Sequence, residues 1–237
     1  MKKIILGSVM ALLIALTAIT PAFAATTYTL FGDATIVSGG NPGNAAQLES
    51  NEPGGFAGVD FNGTTLTTLS DLTNLATDYK FTENSCGGGS PRFQINLDNG
   101  AGDTGNIFVY LGPAPSYAGC PTGVWTPSGN LVTPASLVDT SQLDAGTFYD
   151  PYASALVKYG AYMVTGVQLV ADGEWAFSGD QVVLVDNVEI NTDIVTFEPN
   201  VPTSKDQCKK DGWKTLEDSN GQPFKNQGQC VSYFNHQ

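Results

Sequence analysis

The chain has 237 residues, 41% of them hydrophobic, with ten Lys and Arg against 23 Asp and Glu and a formal charge of −13. Between residues 25 and 200 only Lys80, Arg92 and Lys158 offset nineteen acids, a formal −16, so this stretch repels nucleic acid and anionic membranes and tolerates cationic partners. The single histidine, His236, is next to last, so a Ser-His-Asp triad has no base, and four cysteines without a C-x-x-C spacing form no zinc signature.

The first element in chain order is a signal for export. Lys2 and Lys3 precede an apolar run over residues 4–19, and Pro21-Ala22-Phe23-Ala24 offers small residues at a cleavage site. Gly7, Ser8, Thr17 and Thr20 interrupt the run, which is shorter than the roughly 20 apolar residues of a membrane span. Residues 1–24 are therefore read as a signal peptide, and the mature protein as secreted or periplasmic, with no membrane span after cleavage.

Residues 25–198 read as one β domain. Short runs of β-type residues at 28–31, 45–48, 58–61, 78–81, 92–97, 106–111, 162–170, 181–190 and 194–197 alternate with Gly, Asn, Asp, Ser and Pro. Nine strands at this spacing predict an all-β, jelly-roll-like antiparallel sandwich. Within 181–190, Asp186 and Asn187 mark a strand end or a polar partner. Leu66, Leu69, Leu72 and Leu75 recur every three residues, which fits a helical turn over the end of a sheet, and the threonines between them fit an irregular crossing equally well. The Gly-rich stretch 84–92 lacks the phosphate-loop arrangement and reads as a tight turn.

Prolines at 199 and 202 end the acidic composition and make 199–204 a linker, leaving 205–237 as a small tail that holds five lysines. In an exported chain four cysteines read as two disulfides, and the local pairs Cys86 with Cys120 and Cys208 with Cys230 each close a loop inside one unit. The second bond would clip Trp213, Phe224 and Tyr233 together in a segment too small for an ordinary core.

Three chemistries fit the composition. Aromatic side chains on a rigid sheet can stack on sugars, and the candidates are Tyr110, Tyr117, Trp125, Tyr152 and Trp175. Calcium takes six to eight oxygen ligands, and Asp33 and Glu49 from the first strands with Asp186 and Asn187 near the last are the candidate structural site. Paired carboxylates could serve glycoside hydrolysis, but the nearest pairs, Glu49 with Glu52 and Asp186 with Glu189, read more simply as solvated turns or strand ends.

Two resemblances add to this. The tail, Cys208-Lys209-Lys210-Asp211-Gly212-Trp213 followed by Phe224-Lys225-Asn226-Gln227-Gly228-Gln229-Cys230-Val231-Ser232, resembles a short cysteine module at the C-terminus of secreted bacterial proteins. The body is similar to jelly-roll modules of the carbohydrate-binding and galactose-binding-like kind. The segments that carry the likeness are Gly58-Val59-Asp60-Phe61, Ser90-Pro91-Arg92-Phe93-Gln94-Ile95 and Val185-Asp186-Asn187-Val188-Glu189-Ile190, with a Trp-containing turn, Gly173-Glu174-Trp175, before the closing strand. The likeness implies a fold and gives no ligand. The sequence reading is a secreted, non-catalytic protein binding a carbohydrate or cell-surface component, with Ca2+ as the structural cofactor. A surface-associated structural protein and a glycan-active carboxylate enzyme stay open as alternatives.

Overall fold

The structure is a computed structural model and describes residues 26–51 and 54–237. The signal-peptide reading and Glu52 lie outside these residues. In chain order the strands are β1 (Thr27–Gly32), β2 (Ala34–Ser38), β3 (Asn44–Ser50), β4 (Ala57–Asn62), β5 (Leu75–Glu83), β6 (Arg92–Asp98), β7 (Thr104–Tyr110), β8 (Thr126–Pro127), β9 (Leu137–Val138), β10 (Asp150–Pro151), β11 (Met163–Ala171), β12 (Gln181–Ile190) and β13 (Asp193–Val195). The helices are α1 (Tyr152–Tyr159) and α2 (Gln227–Asn235). No helix among the described residues is long and apolar enough to cross a membrane.

Two antiparallel sheets face each other. One is five-stranded, in the order β1-β4-β11-β6-β7; the other runs β2-β3-β12-β5-β8, with β13 paired to β12. Every second residue of a strand faces the core, and the burial follows that period. Val59 and Phe61, Phe93, Ile95 and Leu97, and Val167 and Leu169 meet Leu48, Phe81, Val183 and Val185 across the sandwich in one continuous core. The fold is the expected jelly-roll-like β-sandwich. All nine expected strands are present within a few residues, while β2 and the two-residue strands β8, β9 and β10 carry too little pattern to be read in advance.

One end of the sandwich is closed by the leucine repeat. Leu66, Leu69, Leu72 and Leu75 are all buried, and a 3-10 turn spans Leu69–Asp71, so the helical-turn alternative describes the segment. Helix α1 packs against it through Tyr152, Ala155 and Tyr159, and the Tyr152 hydroxyl donates to the Leu72 carbonyl at 2.8 Å. The polar interruption of β12 is a bulge at Asp186, where Asn187 adopts a φ of 47° and the register to β5 shifts.

Both disulfides form as the local pairs, with Cα–Cα distances of 5.3 Å for Cys86–Cys120 and 5.7 Å for Cys208–Cys230. The second ties Leu216 and Phe224 into a small core of their own, with Trp213, Val231 and Tyr233 packed against it. Within it α2 is capped by Asn226, whose side chain accepts from the Gln229 N–H at 2.9 Å.

Candidate functional site

The outward face of the five-stranded sheet carries a row of polar side chains. On β6 the inward residues Phe93, Ile95 and Leu97 alternate with Arg92, Gln94, Asn96 and Asp98, so a polar row faces solvent. The register sets Gln168 of β11 between Gln94 of β6 and Asp60 of β4, with Val170 beside Arg92 and Phe108 of β7 beside Gln94.

These side chains form a hydrogen-bond relay of fixed direction. Both terminal nitrogens of Arg92 bond the two carboxylate oxygens of Asp172, at 2.6 and 2.7 Å, and its guanidinium lies 4.8 Å from the Phe108 ring centroid. Arg92 also donates to the Gly89 carbonyl at 3.1 Å and to the Gln94 side-chain oxygen at 3.3 Å. The Gln94 amide donates to Gln168 at 3.0 Å, and Gln168 donates to Asp60. A guanidinium only donates and a carboxylate only accepts, so the ends of the chain fix both amides. Each glutamine amide then has one N–H and one lone pair without a partner among the described residues.

Aromatic rings flank this row. Trp175 sits in the 3-10 turn Glu174–Ala176 and is 69% exposed, with Phe56 and Phe148 also exposed. Gly88, in a left-handed conformation, lets the indole lie against the loop; a Cβ there would come within 2.9 Å of the ring. Two depressions meet at Arg92, Asp172 and Trp175: one of about 450 Å³ that reaches Phe31, Phe56 and Gln168, and one of about 330 Å³ that reaches Tyr110, Asp139 and Phe148.

The walls are fastened from behind. Glu174 accepts from the Ser50 hydroxyl at 2.7 Å and the Gly54 N–H at 3.0 Å, and these donors hold its carboxyl below the usual carboxylate range. Tyr110 donates to Asp139 at 2.5 Å, and burial followed by that bond pushes its phenol well above the usual value. The loop that carries Phe148 is anchored by Asp150, which pairs with Lys158 at 2.7 Å and accepts from Thr140 at 3.1 Å. Burial acts to raise the Asp150 pKa, and its hydrogen bonds from Lys158, Ser154 and Thr140 outweigh that and lower it.

The five aromatic candidates do not form one cluster. Trp175 lies at the centre of the groove and Tyr110 at its edge. Tyr117 stands one layer behind, its ring 5.4 Å from that of Tyr110 and its hydroxyl bonded to the Leu137 carbonyl at 2.8 Å. Tyr152 is 2% exposed and belongs to the core, because α1, which the sequence pattern did not announce, turns it inward. Trp125 lies at the other sheet, next to β8 and 5.9 Å from the Lys80 ammonium, so it shares no ligand surface with Trp175. Arg92, Gln94, Gln168, Asp172, Phe56 and Phe148 were missed; the polar alternation on β6 was the available signal for the first two.

The four residues expected to hold calcium separate into two pairs. Asp33 lies beside Glu49 at one end of the β2-β3 pairing, whereas Asp186 follows Val185, the partner of Ala46. Glu49 and Ala46 are three residues apart on β3, about 10 Å, so the pairs do not converge. The Asp186 end is already internally bonded. Its two oxygens accept backbone N–H groups from Asn41 and Asn187, at 2.7 and 2.8 Å, and the side-chain amides of the same two residues point at Asp78. The four residues therefore do not come together as one ligand set, and among the described residues no three His, Cys, Asp or Glu side chains converge as a metal site. Of the two expected carboxylate pairs, Glu49 with Glu52 is not described because Glu52 lies outside the described residues; in the other, Asp186 is 1% exposed and Glu189 is bonded to Asn74 at 2.7 Å.

A larger depression of about 530 Å³ lies between the sandwich and the tail, lined by Tyr28, Phe197, Glu198 and Glu217. Glu198 is committed to the Asn44 N–H at 2.9 Å, and Tyr28 packs edge to face on the buried Phe197 with ring centroids 4.9 Å apart.

Fold and groove together define a jelly-roll β-sandwich with an aromatic and amide-lined depression on one outer sheet face. Among solved structures the chain is similar to the family 11 carbohydrate-binding module of the cellulosomal cellulase Lic26A-Cel5E of Clostridium thermocellum, with a TM-score of 0.41 and 15% identity over 70% of this chain and 85% of that one. No protein-family model matches the sequence, and no curated protein is significantly similar to it.

Proposed function

We propose that the protein is an exported, non-catalytic carbohydrate-binding protein that holds its ligand on the outer face of the five-stranded sheet. The observation that carries this reading is Trp175, 69% exposed, beside the Arg92–Gln94–Gln168–Asp60 relay. A pyranose ring offers one apolar face for an indole and a rim of hydroxyls that both donate and accept, which suits amides with one free donor and one free acceptor each. Both disulfides suit an oxidising compartment. The tail is a separately ordered, disulfide-held unit from residue 205 onward.

The test is binding of the mature protein to a panel of immobilised and soluble glycans, repeated with Trp175→Ala. Binding to one glycan that falls at least about tenfold in the variant supports the reading. Absence of binding across the panel, or binding indifferent to Trp175, rejects it in favour of a structural role.

A further inference from the structure

The same sheet face continues past the relay into a third depression, of about 330 Å³, lined by Asp60, Asn62, Thr64, Asn96 and Gly166. Asp60 belongs to this depression and is also the acceptor of Gln168, so the two regions are contiguous. Gly166 pairs with Asn96 as Val170 pairs with Arg92, which puts the far end four residues along β6. That separation is about 13 Å, longer than a single pyranose ring.

Gly166 makes this end a notch. It lies at a register shift of β11, and a Cβ there would stand 2.9 Å from the Asn96 side-chain nitrogen. Its φ is not in the left-handed region, so the backbone itself does not demand glycine; the missing side chain leaves room for the end of the Asn96 amide at the edge of the depression. Beside the notch, the Asn96 side-chain oxygen is shut from solvent and has no hydrogen-bond partner among the described residues. An unmet acceptor of this kind calls for a partner. Rotation of the amide about its last torsion, which is soft, would turn that oxygen into the notch, where a ligand hydroxyl could donate to it.

Charge narrows the ligand further. Arg92 is the one basic residue lining these three depressions, and Asp172 occupies both of its terminal nitrogens. Asp60, Asp139 and Glu174 add negative charge along the same surface. A carboxylate or sulfate on a ligand would therefore meet repulsion and no free guanidinium edge.

We propose that the Gly166 notch is a second subsite and that the ligand spanning it from Trp175 is an uncharged glycan chain of several rings, not a single terminal sugar or an anionic glycan. This rests on the carbohydrate-binding reading above. The test is titration calorimetry of the full mature protein with cello-, xylo- and manno-oligosaccharides from disaccharide to hexasaccharide, and with polygalacturonate and alginate. Wild type, Gly166→Val, Asn96→Ala and Trp175→Ala are compared, with thermal midpoints checking the fold. The expected result is affinity for one neutral series that rises about tenfold or more with length, with the rise flattened by both Gly166→Val and Asn96→Ala. A steep rise unaffected by either variant, in a series that Trp175→Ala abolishes, overturns the notch while leaving the carbohydrate reading intact. Trp175-dependent binding of polygalacturonate or alginate overturns the neutral class. Failure of every probe to bind removes both readings together.

Discussion

Arg92 and Asp60 stand on different strands of the five-stranded sheet, separated by β11, and are joined by a one-way chain of donors through Gln94 and Gln168. The chain runs from a group that can only donate to one that can only accept, so each glutamine amide is fixed without help from a ligand. Fixed polar groups beside an exposed indole reduce the ordering cost of binding.

Arg92→Lys tests that arrangement. Lysine cannot occupy both oxygens of Asp172, reach Gln94 and lie over Phe108 together. With side-chain exposures of 15% and 34%, the ion pair is partly screened, so the stability loss in urea is expected to be about 1 kcal/mol or less. Affinity for a bound glycan is expected to fall by roughly tenfold. Equal losses of stability and affinity in calorimetry would make the pair merely structural.

Tyr152 and Trp175 should behave in opposite ways. Tyr152→Phe removes the donor to the Leu69 and Leu72 carbonyls and is expected to cost about 1 kcal/mol in chemical denaturation with no change in glycan binding. Trp175→Ala, at an exposed position, is expected to change stability by no more than about 0.5 kcal/mol while removing binding. A binding defect in Tyr152→Phe at unchanged stability would return that residue to the ligand surface.

The contrast between these two residues shows how far the sequence could be read. Alternation along β6 and the β-branched run of β12 predict strands because period two survives without tertiary context. The cysteines pair locally as their spacing suggests. Aromatic residues carry no such period. Tyr152 is turned inward by an eight-residue helix, and Trp125 and Trp175 sit on opposite sheets because of a strand order that no local signal encodes. Phe56 and Phe148 lie beside contacts that strand alternation does not announce, Glu174 with Gly54, 120 residues apart, and Asp150 with Lys158.

The tail disulfide should be local in its effect. Cys208 and Cys230 are 22 residues apart, and in the chain-entropy model such a closure contributes about 3 kcal/mol to the unit it ties. The Cys208→Ser, Cys230→Ser double variant is expected to lose amide protection in α2 and around Trp213 while the sandwich strands keep theirs. Hydrogen exchange read by mass spectrometry gives the answer. Parallel loss of protection in β5 and β12 would show one cooperative unit and reject the separate tail.

Two carboxylates should respond to pH with opposite signs. Burial, the leading cause, raises Asp186, with Glu198 and Asp78 adding to it against the backbone N–H bonds from Asn41 and Asn187. A raised folded pKa means the native state holds that proton more tightly, so this contribution to stability is fully present below the unfolded pKa near 3.9 and is lost as pH rises through the folded one. At Asp150, whose folded pKa is lowered, stability is present above the unfolded value and lost as pH falls through the folded one. In urea titrations across acid pH, wild type should therefore gain on Asp186→Asn as pH falls from neutral, and its advantage over Asp150→Asn should shrink over the most acid part of the range. The Asp186→Asn comparison holds one further constraint: an amide supplies one acceptor where two backbone N–H groups need two, so the variant should be the less stable even at neutral pH. A flat difference between wild type and Asp186→Asn with pH would mean that Asp186 titrates alike in the folded and unfolded chain, and that its burial is fully compensated by its two N–H donors.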